Sequence, residues 1–209
     1  MQQPYRLYGW AGSGSLAVQI ALEELGARYE RIWVAREPAD IAQFRELNPT
    51  GRSPALALPD GTVIFESAAI LIHLAAAHPA AHLAPPPGTL EHARFLQWMV
   101  FLSANVYEAV LRMYYADRYS TRGAVDAEFI AAKGTEDFIA HLELIASHLE
   151  PHVLGREYSI ADAYLYMLAS WYPGDKAALH ARLPKLAHLM RIIETRPATI
   201  KVEADHAAA

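Results

Sequence analysis

The chain has 209 residues and a formal charge of −5 with its histidines neutral, a size for one large or two small domains and a balance that argues against nucleic-acid binding. Hydrophobic residues make up 53% of it, enough to bury a sizeable core and to exclude global disorder. Cysteine is absent, which removes disulfides, thiolate metal sites and a cysteine nucleophile together.

No segment reads as a membrane span, because the longest apolar stretch, Ser67 to Leu83, is broken by His73, His78, Pro79 and His82. The opening MQQPYRLYGW lacks the basic start and long apolar run of a secretory signal. The expected location is cytoplasmic.

In chain order, Tyr5–Tyr8 reads as a short strand that stops at Gly9. A helix follows from about Ser15 to Leu25, with Leu16, Ile20 and Leu25 near helical spacing and Gly26 as its stop. Tyr29–Val34 reads as a second strand, so the three form a right-handed βαβ unit. A weaker helix over Asp40–Leu47 leads into the loop NPTGRSP, and Pro54–Leu58 and Thr62–Phe65 flank a PDG hairpin turn. A helix over Glu66–Ala77 completes β-α-β-α-β-β-α, a mixed sheet with helices on both faces. The run PAAHLAPPPG, with three consecutive prolines, is a stiff connector. Beyond it the patterns are helical: one long helix over Leu90–Tyr115, then Ala127–Leu149, Ser159–Trp171 and Leu183–Thr195. The expected domains are 1–78, α/β, and 90–209, all-α, joined by 79–89.

Several positions have the chemistry of a site. Two glycines in Trp10-Ala11-Gly12-Ser13-Gly14-Ser15 let backbone approach a ligand, and the helix beginning there presents N–H groups and a positive dipole end. Ser13 or Ser15 can donate a hydrogen bond to an anion, although a serine before a helix is commonly its N-cap. Glu66-Ser67 opens the third helix, where Ser67 and the helix N–H groups suit a carboxylate and Glu66 an ammonium, together the head of an α-amino acid. If Ser53-Pro54 is cis, the Ser53 N–H and C=O turn outward to pair with an extended peptide; X–Pro bonds in general favour trans. Ser159-x-x-Asp162 reads as a capping box and therefore as structure. His141, His148 and His152 lie near one helix face without a carboxylate pattern, so no metal site is expected.

Three runs, LYGWAGSGSLAVQIALEELG, NPTGRSPALALPDGTVIFESAAILIHLA and GREYSIADAYLYML, together resemble the cytosolic glutathione transferase family over essentially the whole chain. The resemblance implies a thioredoxin-like N-terminal domain, an all-helical C-terminal domain and a homodimer. It matches Pro54 to the family's cis proline and Ser53 to the residue whose backbone pairs with the cysteinyl part of glutathione. Glu66 and Ser67 match the pair holding the γ-glutamyl head, and Arg52 falls near the glycyl carboxylate. Relatives with a cysteine after the first strand often read G-A-C-S-L-A; here Gly14 stands at their cysteine, so the turn looks serine-type, with Ser13 first and Ser15 second as the catalytic hydroxyl. Tyr5 and Tyr8 belong to the strand and look less well placed.

The implied enzyme is a glutathione S-transferase that ionises the thiol of its co-substrate glutathione for attack on a small hydrophobic electrophile, in keeping with detoxification. Trp10, Tyr107, Met113, Tyr114 and Tyr115 are candidates for the wall of an apolar electrophile pocket between the domains. Two alternatives stand beside it: a glutathione-dependent isomerase, and a non-catalytic glutathione-fold binding module.

Overall fold

The computed structural model describes residues 3–209. Four strands, β1 (Tyr5–Gly9), β2 (Tyr29–Trp33), β3 (Ala55–Ala57) and β4 (Val63–Phe65), form one mixed sheet in the order β2-β1-β3-β4. β1 runs parallel to β2, with Tyr5 opposite Tyr29, and antiparallel to β3, while β3 and β4 make the hairpin. Alternation along β1 buries Tyr5 and Leu7 and exposes Arg6, as expected of a strand covered on one face. Ala55, Leu56 and Ala57 in β3 are all buried, which fits its place inside the sheet.

The helices interleaved with these strands are α1 (Ser15–Glu24), α2 (Pro38–Phe44) and α3 (Ser67–Ala77). The βαβαββα order is the one expected from sequence, with ends shifted by a few residues. Residues 15–22 of α1 are buried without exception. That is more burial than one sheet face demands, because α1 packs against both α3 and a final helix, α10 (Pro197–Ala207), which sequence patterning had not marked.

The chain divides into two compact units. One comprises residues up to Ala84 together with Glu194–Ala209, and the other runs from Pro85 to Ile193. In the second unit the single helix expected over Leu90–Tyr115 is three pieces: α4 (Leu90–Phe101), a π-helical segment (Leu102–Tyr107) and α5 (Glu108–Tyr114). The wider π turn shifts the side-chain register, so that Leu102 and Val106 point inward together. After it come α6 (Ala127–His148), α7 (Ile160–Ser170), α8 (Lys176–Arg182) and α9 (Pro184–Glu194). Gly134 permits the close pairing of α5 with α6, since a Cβ there would lie 2.9 Å from Arg112 Cβ. No helix among the described residues is long and apolar enough to cross a membrane.

Candidate active site

The sheet register gathers three chain segments at one end. β1 finishes at Gly9 and leads to Ser13; β3 begins just after Ser53-Pro54; β4 ends just before Glu66-Ser67. Continuing both antiparallel ladders by one step sets Pro54 between Gly9 and Glu66. The Ser53-Pro54 bond is cis, against the general preference of X–Pro bonds.

Three serine hydroxyls meet there. Ser13 Oγ lies 3.0 Å from Ser15 Oγ and 2.7 Å from Ser53 Oγ, and all three residues are buried. Gly9 makes the room: a Cβ on it would lie 2.6 Å from Ser53 Oγ and 2.7 Å from Ser15 Cβ. Each hydroxyl has one proton, which settles the directions. Ser13 donates to the Trp10 carbonyl at 2.6 Å, so Ser53 must donate to Ser13. Ser15 has two acceptors in reach, the same carbonyl at 3.3 Å and Ser13 Oγ. Ser13 Oγ also accepts the Ser15 N–H at 3.3 Å, so the capping role expected of a serine here is present but long. The N-cap position of α1 is Gly14, which supplies no side-chain cap. Ser13 is thus the hub: it accepts from its neighbours and has a single proton to redirect.

The loop before β3 is fixed from within. Buried Asn48 donates to the Arg52 carbonyl at 2.5 Å and accepts from the Thr50 N–H at 3.1 Å and the Thr50 hydroxyl at 2.8 Å. In this loop Arg52 is exposed and Ser53 buried. Sequence reasoning had passed over Asn48, although an asparagine opening N-P-T-G is a turn-forming side chain. On the far side of the hairpin, Glu66 is exposed at φ 71, in the left-handed region that costs a non-glycine residue energy. Ser67, the first residue of α3, is buried.

Trp10 packs edge-on against Phe44 at 6.2 Å, with the Arg36 guanidinium 5.9 Å from its ring. In the second unit Tyr107, the last residue of the π segment, packs edge-on against Trp171 at 5.4 Å, and the exposed Tyr114 donates its hydroxyl to the Trp171 carbonyl at 2.7 Å. Met113 is half-buried on α5, and Tyr115, just past its end, lies under the Arg118 guanidinium. Tyr5 is engaged with His78 Nε2 at 2.9 Å, and burial raises its phenol pKa, the wrong direction for activating a thiol. His141 and His148 are on α6 with His152 beyond it, and no cluster of three metal-ligating side chains occurs among the described residues.

Residues 14–77 match the family described as Glutathione S-transferase, N-terminal domain. The chain is also 31% identical over 177 residues to an uncharacterized GST-like protein, YncG, of Escherichia coli (strain K12), covering 82% of this chain and 83% of that protein. It belongs to the glutathione S-transferase family. Glutathione S-transferase GstA of Escherichia coli O157:H7 is 25% identical over 92% of this chain and 94% of its own. Among solved structures, a glutathione transferase homologue from Sulfitobacter with bound glutathione superposes with a TM-score of 0.88 at 30% identity, covering 98% of this chain and 99% of that one. A sphingomonad glutathione S-transferase complexed with glutathione gives 0.81 at 29%, over 98% and 100%. The thioredoxin-like sheet unit and the helical unit are those of this family, and the protein is a glutathione S-transferase enzyme.

Proposed function

We propose that this glutathione S-transferase ionises the thiol of bound glutathione with the Ser13 hydroxyl and the N-terminal end of α1. The observation that carries the reading is the three-serine cluster at a helix start whose N-cap residue is a glycine, in a chain without cysteine. A thiol of pKa about 8.5 is only ~3% ionised at neutral pH, and lowering it by ~2 units makes thiolate the major form. As the sulfur arrives, Ser13 turns its proton from the Trp10 carbonyl to the thiolate. Ser53 goes on donating into Ser13 Oγ and makes it a stronger donor. The thiol proton passes to solvent. The thiolate then attacks the electrophilic carbon, a C–S bond forms, and the leaving group departs with its bonding pair.

The rest of glutathione is assigned to the same sheet end. Glu66 and Ser67 take the charged γ-glutamyl head, the backbone of Ser53 beside Pro54 pairs with the cysteinyl residue, and Arg52 meets the glycyl carboxylate. Ser15 stands second to Ser13 for the catalytic hydroxyl. The electrophile is a small hydrophobic molecule, with Trp10 lining its approach. Family membership supports a cytoplasmic homodimer with a detoxifying role.

The test is retention on immobilised glutathione, conjugation of a chloronitrobenzene-type electrophile, and titration of the bound thiol by its thiolate absorbance. Ser13→Ala is expected to raise that thiol pKa by about 1–2 units while leaving glutathione affinity within about twofold. If Ser15→Ala shifts it and Ser13→Ala does not, the assignment moves by half a turn. Retention with no conjugation overturns the transferase chemistry and favours isomerisation or simple binding.

A further inference from the structure

Beyond the serines themselves, the turn that carries them is tied down from the far end of the chain. Gly12 sits at φ 66, exposed and without a side chain, directly before Ser13. Its N–H donates to Nδ1 of His206 on α10 at 3.1 Å. Because a backbone N–H can only donate, Nδ1 is unprotonated, the ring proton is on Nε2, and it is donated to Gln19 Oε1 at 3.2 Å. Gln19 is itself fully buried and oriented from its amide nitrogen, which donates to Asp205 Oδ2 at 2.8 Å and to the Tyr29 hydroxyl at 3.0 Å. Trp33 closes the remaining side of the ring, edge-on at 5.0 Å. Tautomer and orientation of the imidazole are therefore set by a chain of hydrogen bonds whose last link is the serine turn.

We propose that His206 is a positioning residue for thiol activation: its imidazole, locked by Gln19, holds the Gly12 amide and so fixes where Ser13 presents its hydroxyl. The proposal rests on the reading of Ser13 given above. His206 touches no reacting atom and acts only through the turn. α10 has other anchors, which separate this role from that of keeping the helix docked. Arg196 makes a two-pronged pair with Glu24 at 2.6 and 2.9 Å, Arg31 pairs with Asp205 at 2.9 Å, and Lys201 pairs with Glu23. Loss of the imidazole leaves those in place.

Two conservative variants divide the two ring nitrogens. In His206→Asn the side-chain oxygen stands near the place of Nδ1 and keeps the Gly12 bond. In His206→Gln the amide reaches the place of Nε2 and gives the Gly12 bond up. Each variant removes one of two hydrogen bonds, so a merely structural role ranks them alike. We expect His206→Gln to raise the pKa of bound glutathione by about 1 unit and to lower kcat about tenfold with KM for glutathione little changed, and His206→Asn to resemble the unsubstituted enzyme. Amide hydrogen exchange at Gly12, read without glutathione, should quicken about tenfold in His206→Gln only. Equal shifts in both variants, or unchanged Gly12 exchange in His206→Gln, overturn the proposal. Ser13→Ala is the separate control: if it leaves the thiol pKa in place, the serine reading fails alone, while the Gly12 exchange contrast still decides whether His206 holds the turn.

Discussion

The starts of α1 and α7 both carry serine and both follow a loop, yet the structure uses them in opposite ways. At α7 the local polar groups satisfy one another. Asp162, fully buried, accepts the Ser159 N–H at 2.8 Å, the Ser159 hydroxyl at 3.2 Å and the Val153 N–H at 2.7 Å. One carboxylate closes the helix end and ties down the preceding loop. At α1 the N-cap is a glycine, and the serines turn toward each other and toward the Trp10 carbonyl. A helix start whose donors are taken up by its own side chains is structure; one whose hydroxyls are arranged around a single redirectable proton is prepared for a ligand.

The comparison breaks most visibly at Asp162. Asp162→Ala leaves two buried N–H groups without an acceptor, and we expect a loss of about 3 kcal/mol, seen as a fall in Tm of roughly 6–12 °C. The pKa of bound glutathione should not move. An unchanged Tm would remove the structural side of the contrast. Next in size is Gly9→Ala, which drives a methyl group into Ser53 Oγ and Ser15 Cβ. We expect a loss of about 2 kcal/mol from overpacking, together with loss of thiol activation because the hydroxyls are forced apart. A Gly9→Ala enzyme with a native thiol pKa would show that the cluster is not what ionises the thiol.

Much of the α7 start was legible in the sequence because its partners are three residues apart. The α1 start was legible only in part: Ser13 and Ser15 stand out beside their glycines, but the third hydroxyl, Ser53, is 40 residues away and had been considered only for its backbone. His206 was wholly hidden. The buried residues of α10 are Thr199, Val202 and His206, a helical spacing in which two of the three are polar, so hydrophobic periodicity cannot find it. The π segment is hidden for a related reason, since one wider turn leaves composition and spacing almost unchanged. The β1–β2 and β3–β4 pairings followed from local patterns, because the βαβ unit and the PDG hairpin each join neighbours; the pairing of β1 with β3 has no such local signal, since the connection from β2 to β3 crosses over β1.

Acid sharpens the contrast from another side. Burial, aided by Arg31 and opposed by Asp205, lowers the His206 pKa from its ordinary 6.5 to about 4. Above pH 6.5 the group is neutral in folded and unfolded chains alike, and its contribution is complete. Between pH 6.5 and about 4 the unfolded chain takes up a proton that the folded one refuses, so stability falls as pH falls. Allowing for partial solvent screening, the loss is about 2 kcal/mol. Urea midpoints at pH 7.5 and 4.5 should differ by less in His206→Asn than in the unsubstituted protein; equal differences would place the titration elsewhere.

The smallest effect is the most discriminating. Ser159→Ala removes one hydroxyl from a closed cap and should cost about 1 kcal/mol, with glutathione chemistry untouched. Ser13→Ala removes a hydroxyl of the same size, also from a buried residue, at a helix start where it caps only weakly. It should also cost about 1 kcal/mol, because the buried Ser53 hydroxyl loses its acceptor even though Ser15 can take over the Trp10 carbonyl. The bound thiol, in contrast, loses its donor. Two serine-to-alanine changes at two helix starts should therefore lower Tm by similar amounts and part at the thiol, one sparing its pKa and the other raising it. If both lower Tm alike and neither moves the thiol, the start of α1 is a cap like that of α7, and the hydroxyl that activates glutathione must be sought away from this turn.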